Sequence, residues 1–457
     1  ETGHRVGEAA QSLFPDGILI GHDQELREAL RETQQLLEKP GPVTLFEATF
    51  KADGVLIRAD ILIRDAPNRI HLIEVKAATK LKDYYLVDCA IQLWVLGQLG
   101  LPVDRLELAH INNQFVYEAE GDYRGLLSYV DVLAEALELQ EDVEALIEEM
   151  RDVLSGDEPE ILMGPQCTDP FDCPFHDHCL GPQPDMPITW LPGGQKVWNP
   201  LVNAGFDDIR EIPEGFLTHE LAEKCRQATI QGKYILDPAA AEDLDVLGWP
   251  RYYFDFETVA PAVPLFTGTK PYQAQAFQWS CHIEYEDGTL EHREFLAEGK
   301  AAPMRPCAES LIRALGEEGP IFMYSSYERT VIRGLIVRFP DLAEPLEQIL
   351  DRLYDLLPLT KKYYYHPDMH GSWSIKAVLP TVAPDLDYSQ LDIISSGDMA
   401  GPVFLEMIDA GTAPGRKEAL REALLHYCKL DTLAMVRLAW FLEGHSSPHN
   451  TSEQNHR

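Results

Sequence analysis

Hydrophobic and polar residues alternate along the segment VLIRADILIRD, residues 55–65, as they do in a half-buried β-strand. A second apolar run, RIHLIEVKAATK, follows at residues 69–80, and the turn-forming residues DAPNR lie between the two. The pattern therefore predicts a β-hairpin. Further strands are predicted from residue 43 onward and at residues 105–112, and helices at residues 1–40, 82–100 and 125–156.

The chain changes character after residue 180. Residues 181–249 are rich in Pro and Gly and predict a linker with short helices. An apolar strand, YYFDFETV, follows at residues 252–259, and a long amphipathic helix covers residues 419–440. We therefore predict an α/β protein in four parts: a first α/β domain with a cysteine group (1–180), a linker and small helical module (181–249), a second α/β domain (250–444) and a disordered polar tail (445–457).

Composition narrows the classes of function. The 457 residues include 75 Asp and Glu against 38 Lys and Arg, which does not suit a protein that coats nucleic acid nonspecifically. The same balance is compatible with an enzyme whose site consists of carboxylates. No apolar run is long enough to span a bilayer and no signal peptide is visible, so we expect a cytoplasmic protein without a membrane partner. The chain has no initiator Met and begins inside a predicted helix, so we expect a fragment.

The predicted hairpin places acidic residues beside a lysine. Side chains alternate along a strand, so Glu74 and Lys76 face the same side, and the neighbouring strand brings Asp60 close to them. Two carboxylates can hold a Mg²⁺ or Mn²⁺ ion, and a lysine can stabilise developing negative charge or orient a water molecule. Glu47 on the preceding strand could supply a third carboxylate, and Gln92 on the following helix could orient the lysine or a phosphate.

These residues resemble those of the PD-(D/E)XK nuclease superfamily, in particular its RecB-like and Cas4-like branch. The resemblance rests on Asp60, on Glu74-Val75-Lys76 and on the helix AIQLWVL, which contains Gln92. It implies a restriction-endonuclease-like mixed sheet with helices, in which Asp60, Glu74, Lys76 and Gln92 are catalytic. The alternative is that an E-x-K triplet is common and usually lies on a surface strand.

A second acidic group lies in the second half of the chain. Asp255 and Glu257 share one face of the strand at residues 252–259, and two like charges so close are costly unless a cation bridges them. Asp431 lies on the long helix. These positions resemble the DEDD exonuclease branch of the ribonuclease H-like fold. The resemblance implies that Asp255, Glu257 and Asp431 bind two divalent ions and that a middle acidic residue joins them.

Two positions of this second group have rival candidates. For the middle acidic residue, Glu328 in IFMYSSYERTVIRGL stands where the family usually has Asp, and Asp355 is the rival. For the residue that orients the attacking water, Tyr427 and His426 each fit a family pattern. Tyr427 lies four residues before Asp431 and shares its helix face, whereas His426 points about 140° away, so we favour Tyr427.

Three of the eight cysteines lie together in CTDPFDCPFHDHC: Cys167, Cys173 and Cys179. In a reducing compartment this grouping indicates a metal site, and His176 and His178 could make it a zinc site. RecB-like and Cas4-like nucleases, which the chain resembles, commonly carry a [4Fe-4S] cluster with three cysteines after the nuclease core and a fourth near the N-terminus. We therefore predict an iron–sulfur cluster in the intact protein, with Zn²⁺ or a disulfide as alternatives. The other five cysteines are predicted to be reduced core thiols: Cys89, Cys225, Cys281, Cys307 and Cys428.

The segment YYYHPDMHGSWSIKAVLP is dense in aromatic residues that either stack on bases or form a packed core, and its Lys376 could meet a phosphate. Together with FDFETVAP, YSSYE and HYCKLDTLAM it resembles the DUF2779 family, in which a RecB-like nuclease region is joined to a DEDD-type domain. The resemblance covers residues 40–442 and implies a metal-dependent nuclease with two sites, in DNA repair or in defence against foreign DNA.

Two alternatives to this DNA nuclease stay open, because DEDD chemistry suits RNA equally and the sites can be degenerate. They are an RNA exonuclease and a nucleic-acid-binding scaffold without activity. DNA is favoured over RNA as the partner. Of the two candidate sites, we expect Asp255, Glu257 and Asp431 to form the better preserved one.

Overall fold

The computed structural model of the chain describes residues 2–21, 25–66, 69–386, 393–394 and 397–445. The chain divides into two compact units, which we call unit 1 (Glu1–Leu162 with Ala260–Gln273) and unit 2 (Met163–Val259 with Ala274–Arg457). Each unit contains helices and a mixed sheet, which confirms the predicted α/β class. The predicted disordered tail lies outside the described residues, apart from His445. The predicted division into four parts stays a prediction.

Unit 1 contains the following helices and strands: α1 (Thr2–Ser12), β1 (Ile18–Leu19), α2 (Leu26–Glu38), β2 (Val43–Ala52), β3 (Val55–Ala66), β4 (Arg69–Lys76), α3 (Asp83–Gln98), β5 (Val103–Ile111), β6 (Leu127–Asp131), α4 (Leu133–Glu138) and α5 (Gln140–Ser155).

The sheet of unit 1 has the strand order β1-β2-β3-β4-β5-β6. Strands β2, β3 and β4 are antiparallel neighbours, which confirms the predicted hairpin, and β4 runs parallel to β5. The helix predicted at residues 125–156 is wrong at its start, because β6 pairs with β5 as an edge strand and α4 begins only at Leu133. The helix predicted over residues 1–40 is interrupted by β1, which pairs with β2.

Both faces of this sheet are covered, so its strands are buried more continuously than simple alternation predicts. On one face, α3 packs the apolar residues around Cys89 and Leu93 against the sheet. On the other face, α1 contributes Val6, which packs with Ile61 and Ile73. Burial on both faces removes apolar surface from water, and each Å² removed contributes about 25 cal/mol to the stability of the fold. This burial stabilises the sheet that holds Asp60 and Glu74. The helix end predicted at Gly100 is confirmed, since α3 ends at Gln98 and Gly100 adopts a φ of 67°.

Unit 2 contains the following helices and strands: α6 (His176–Leu180), α7 (Gln195–Asn203), α8 (Glu220–Gln231), β7 (Ile235–Leu236), α9 (Ala239–Asp245), β8 (Arg251–Val259), β9 (Gln275–Glu284), β10 (Leu290–Leu296), α10 (Met304–Ala314), β11 (Ile321–Met323), α11 (Tyr327–Arg338), α12 (Ala343–Asp351), β12 (Leu353–Asp355), α13 (Leu356–Tyr363), β13 (Tyr364–Tyr365), α14 (Ile375–Val382), α15 (Ala400–Ile408) and α16 (Pro414–Leu442). Short 3-10 turns join several of these elements: Pro165–Cys167, Ile188–Trp190, Ile209–Glu211, Pro340–Leu342, Pro367–Met369 and Gly397–Met399.

The main sheet of unit 2 has the order β10-β9-β8-β11-β12, so β8 is its central strand. Strand β8 is antiparallel to β9 and parallel to β11. The long helix α16 has Pro414 at its start, where the missing N–H costs nothing. A buried ion pair, in which Arg251 Nη1 lies 2.6 Å from Glu443 Oε1, joins the start of β8 to the end of α16.

Most of the aromatic segment at residues 363–373 is a packed core. Tyr363, Tyr364, Tyr365 and Trp373 are all buried in the cluster that also contains apolar residues of α8 and α16. These four rings therefore do not form a base-stacking surface. The five cysteines predicted as core thiols are buried and free. Within the part of the chain that the structure describes, each helix is too short or too polar to span a bilayer.

Candidate active site

A cleft of about 370 Å³ lies at the end of β8 in unit 2. Asp255 and Glu257 are two residues apart on β8, so both side chains point to the face on which the cleft opens. Because Tyr253 pairs with Phe322 of the short strand β11, the chain leaves β11 close to Asp255 and turns into α11 there. The cleft is lined by Asp255, Phe256, Glu257, Thr258, Tyr324, Ser325, Tyr327, Glu328, Ile375, Lys376, Gly397, Tyr427, Asp431 and Met435.

Helix α16 brings Asp431 and Tyr427 to the cleft. The next residue, Thr432, fixes the helix on the sheet, since its hydroxyl lies 2.9 Å from Ser280 Oγ and 2.8 Å from His282 Nδ1. Tyr427 is buried and hydrogen-bonds the Asp431 carboxyl group.

The rival His426 is exposed and does not line the cleft. The geometry therefore agrees with the helical argument for Tyr427.

The middle acidic position is occupied by Glu328, in the first turn of α11. Glu328 is 3% exposed, and its carboxyl group is close enough to that of Asp255 for each to shift the pKa of the other. The rival Asp355 has a structural role, because its Oδ1 accepts from Ser325 N at 3.0 Å and from Leu357 N at 2.9 Å. It caps α13 and holds the loop that leads to Glu328.

Burial and mutual repulsion raise the pKa of the acidic groups in the cleft. For Asp255, burial has the largest effect, followed by the charges of Asp431, Glu328 and Glu257, and the pKa lies well above the usual range. Burial and the charge of Asp431 likewise raise the pKa of Glu257, although the positive charge of Lys376 lowers it in part. Burial raises the pKa of Glu328 to about 7. So many carboxyl groups in one place are stable as anions only when a cation lies among them.

The donor set fits a hard divalent cation. Glu328 Oε2 is buried without a hydrogen-bond partner among the described residues, and it lies in the same cleft as three other carboxyl groups. Mg²⁺ and Mn²⁺ prefer carboxylate oxygen ligands of this kind. Asp255, Glu257, Glu328 and Asp431 are therefore the residues that would hold such ions.

Some residues in or next to the cleft were not singled out by the sequence. Cys428, predicted as a core thiol, is buried as expected, but its Sγ and carboxylate oxygens of Asp255 and Glu257 all lie within 4.8 Å of one another. Its spacing of three residues from Asp431 on one helix was the signal for this placement. Thr258 and Tyr327, whose hydroxyl groups lie 2.5 Å apart, line the cleft mouth and had no such signal.

The loop between β11 and α11 contains a residue in an unusual conformation. Ser325 has a φ of 105°, which non-glycine residues rarely adopt, and it lines the cleft. Tyr324 next to it donates a hydrogen bond to Trp373 O at 2.7 Å. Such strain costs on the order of 1–3 kcal/mol and is found mostly at functional sites.

The hairpin of unit 1 brings its predicted site residues together as well. Asp60 Oδ2 accepts from Val75 N at 2.6 Å. Glu74 is paired through both oxygens, with Lys76 Nζ at 2.6 Å and Gln92 Nε2 at 2.6 Å. Lys76 Nζ also lies 2.5 Å from Asp88 Oδ2. The carboxylate of Glu74 and the amine of Lys76 are thus already paired with each other inside this site.

Charges are also concentrated at the unit 1 site. Burial and the neighbouring Glu74 raise the pKa of Asp60 well above the usual range, and burial raises that of Glu74. Burial alone would lower the pKa of Lys76, but Glu74 and Asp88 raise it overall. Glu47 lies close enough to raise the pKa of Asp60, and its backbone has a φ of 56°. Gln92 Oε1 is buried without a hydrogen-bond partner within the described ranges.

The three grouped cysteines lie at the start of unit 2. Cys167 is buried in a 3-10 turn, Cys173 is half-buried and bonded through its backbone to Cys167 O at 2.8 Å, and Cys179 is exposed on α6. In the described part of the chain, the three thiols do not meet in one ligand set of the size found around Asp255. The iron–sulfur cluster therefore stays a prediction.

Comparison with known proteins gives one match. The model of the family described as "Domain of unknown function (DUF2779)" matches residues 252–374. A search of the curated proteins and a search of the solved structures found no match. The matched residues include Asp255, Glu257 and Glu328 but not Asp431.

Proposed function

We propose that this chain, whose residues 252–374 match the model of the DUF2779 family, is a metal-dependent nuclease that hydrolyses phosphodiester bonds in the cleft of unit 2. The observation that carries the proposal is the set of four carboxyl groups in this cleft, one of which, Glu328, has a buried oxygen without a partner among the described residues. A purely structural carboxylate would be paired, because an unsatisfied buried group destabilises the fold.

The four acidic residues of the cleft have a common role as ligands of metal ions. Asp255 and Glu257 on β8, Asp431 on α16 and Glu328 on α11 approach from three different elements, so together they can surround a bound cation. Two divalent ions held by these carboxylates would stabilise the attacking and the leaving oxygen of a phosphodiester. The fixed strand and helices keep the carboxylates in position, so little reorganisation is needed when substrate binds.

Two further residues of the cleft act on the substrate. Burial and the nearby carboxylates raise the pKa of Tyr427, so its hydroxyl group stays protonated and can hold a water molecule for attack. Lys376 lies against the Tyr427 ring, with Nζ 5.2 Å from the centroid, and its charge acts on Glu257. A lysine at this position is suited to a phosphate group of the substrate.

The size of the cleft favours attack at a chain end. About 370 Å³ is within the range of pockets that take a small ligand, and it is therefore suited to one terminal nucleotide rather than to a duplex. The substrate we propose is single-stranded DNA. The role proposed for the protein is in repair or in defence against foreign DNA.

The unit 1 site is a second candidate for phosphodiester cleavage. It is favoured by the convergence of Asp60, Glu74, Lys76 and Gln92 on one side of the hairpin. In this site, however, both oxygens of Glu74 and the amine of Lys76 are already engaged with each other and with Gln92 and Asp88. We therefore propose unit 2 as the main hydrolytic site.

The test is hydrolysis of an end-labelled single-stranded DNA in the presence of Mn²⁺. The wild type should release mononucleotides, and chelation of the metal should stop the reaction. The isosteric change Glu257→Gln should lower the rate by at least about a hundredfold, because it removes a charge on which the transition state depends. RNA of the same sequence, assayed in parallel, decides between the two substrates.

The matched control is Glu242→Gln, which changes an exposed glutamate of α9 in the same unit. This variant should cleave at the wild-type rate. Equal rates for Glu257→Gln and Glu242→Gln would overturn the proposal, and so would cleavage of neither DNA nor RNA by the wild type.

A further inference from the structure

Cys428 has surroundings that set it apart from the other buried cysteines of unit 2. Its Sγ lies within 4.8 Å of ligand oxygens of Asp255 and Glu257 and 4.0 Å from the backbone oxygen of Asp255. Burial alone raises the pKa of the Cys307 thiol, whereas the pKa of Cys428 is raised by burial together with Asp255, Glu257 and Asp431. Cys428 therefore faces the acidic cluster and is not solely a core residue.

A second observation points to a ligand in the same place. Glu328, which is 3% exposed and lines the same cleft as Asp255 and Glu257, has a buried oxygen that no described group satisfies. An unpaired acceptor of this kind is satisfied when a cation is bound nearby. A thiol and two carboxylates around one point form a donor set that differs from the all-oxygen set of a magnesium site.

We propose that Cys428, Asp255 and Glu257 form a site for a thiophilic divalent cation of the Zn²⁺ and Cd²⁺ class. Binding places the cation on Cys428 Sγ and on one oxygen of each carboxylate, and the thiol proton leaves to solvent. The thiolate–zinc distance is about 2.3 Å and carboxylate–zinc distances are about 2.0–2.2 Å, so the three ligand atoms, which lie within 4.8 Å of one another, approach each other to about 3.3–3.8 Å when the ion binds.

The consequence is inhibition of the nuclease. This part of the inference rests on the proposed function, because the same two carboxylates hold the catalytic ions there. Zn²⁺ binds a given site more tightly than Mn²⁺ in the usual order of affinities, and a thiolate increases the difference. A low concentration of a thiophilic cation therefore occupies Asp255 and Glu257 and prevents the catalytic ions from binding.

The test is a titration with Cd²⁺, followed by the ultraviolet charge-transfer absorption of cadmium thiolate. The starting protein has Cys167, Cys173 and Cys179 replaced by serine, since these thiols could bind Cd²⁺ elsewhere. We expect one equivalent of Cd²⁺ to produce the band. The further change Cys428→Ser should abolish it, and Asp255→Asn should raise the Cd²⁺ dissociation constant at least about tenfold while the thiol remains, as loss of one ligand does.

Two measurements keep the result interpretable. Circular dichroism and thermal unfolding establish that Cys428→Ser is folded, and an excess of Zn²⁺ should displace Cd²⁺ from the protein that keeps Cys428. A band that persists in Cys428→Ser, or one that Zn²⁺ does not reduce, would overturn the site. The absorption needs no catalysis, so an inactive protein that still shows the band would refute the proposed nuclease function and leave the metal site standing.

Discussion

Glu328 is the residue whose ionisation has the clearest effect on stability. Its pKa is raised from a usual value of 4.5 to about 7, mainly by burial. A carboxyl group with a raised pKa contributes stability that is fully present below about pH 4.5 and is lost as the pH rises through about 7. In the absence of metal, the folded state should therefore lose stability over this range.

We expect the change Glu328→Gln to remove this loss. Between about pH 5 and pH 8, the free energy of unfolding of the metal-free wild type should fall by on the order of 1–3 kcal/mol more than that of the variant. Denaturant unfolding with a chelator at both pH values measures the difference. The exposed Glu344→Gln is the control and should follow the wild type. Identical pH dependence in wild type and Glu328→Gln would contradict the account.

Ser325 and Asp355 allow a second prediction. Asp355 Oδ1 accepts from Ser325 N, and this bond holds Ser325 at a φ of 105°, three residues before Glu328. We expect Asp355→Ala to weaken Mn²⁺ binding about tenfold, because the loop relaxes and Glu328 moves. Adding Ser325→Gly should recover part of the affinity, since glycine adopts this φ without strain.

Calorimetric titration of Mn²⁺ into the single and double variants measures this effect. Ser325→Gly alone serves as the control and should bind Mn²⁺ as the wild type does. If the second change brings no recovery in the Asp355→Ala background, Asp355 does not act through the conformation of Ser325.

The sequence predicted site residues best where the rule was local. Tyr427 was preferred over His426 by helix geometry, and the structure places Tyr427 in the cleft and His426 outside it. The choice between Glu328 and Asp355 could not be made locally, because it depends on which side chain the parallel pairing of β8 and β11 turns towards Asp255. Cys428 was missed although it lies three residues before Asp431 on the same helix, because its approach to Asp255 and Glu257 depends on the packing of α16 on β8.

Among the secondary-structure elements, β8 and α16 hold the site together. Arg251 at the start of β8 is almost fully buried and pairs with Glu443 at the end of α16. It also donates a hydrogen bond to Leu244 O at 3.0 Å. The two elements contain Asp255 and Asp431, so this pair joins the strand and the helix that carry ligands of the proposed metal site.

We expect Arg251→Ala to destabilise the protein by about 3–5 kcal/mol, because it leaves Glu443 buried without its partner. The control is Arg416→Ala, which removes an exposed pair with Glu406 and should cost less than about 1 kcal/mol. Urea unfolding of the two variants gives both values. A small and equal effect in both would show that the buried pair does not stabilise unit 2.

Strands were predicted correctly where apolar and polar residues alternate clearly, and the prediction failed for a strand at the edge of a sheet. The hairpin of β3 and β4 was predicted because the apolar residues alternate and a turn separates the runs. Strand β6 was assigned to a helix because it directly precedes the apolar helices α4 and α5 and is only five residues long. Its strand conformation comes from pairing with β5, which is a contact between residues far apart in sequence.

At the scale of the whole molecule, the chain is divided in a way that the sequence did not indicate. Residues 260–273 follow β8 directly, yet they belong to unit 1. There Tyr117 N donates to Thr269 O at 3.0 Å and Gly268 N donates to Tyr117 O. Such long-range contacts leave no periodic pattern of apolar residues in the sequence. A prediction from sequence alone therefore places residues 260–273 in the same domain as β8.

The net charge of −37 sets the response of the protein to salt. A polyanionic substrate is repelled by an acidic protein, and added salt screens this repulsion. We therefore expect the KM for a long single-stranded DNA to fall when monovalent salt rises from about 10 mM to about 100 mM at fixed Mn²⁺, as the Debye length shrinks from about 30 Å to about 10 Å. A dinucleotide substrate, with one phosphodiester, is the control and should respond less. A KM that rises steeply with salt would indicate a basic binding surface instead.

The central claim is that hydrolysis takes place on the acidic cleft of unit 2. The most direct test is the initial rate of Mn²⁺-supported DNA hydrolysis by a variant with both Asp255→Asn and Asp431→Asn, in which the carboxylates of unit 1 are intact. We predict a fall of at least about a hundredfold, to the rate measured with chelator, because two ligands of the proposed metal site are lost. A double variant that keeps more than about a tenth of the wild-type rate would contradict the claim and assign hydrolysis to another site.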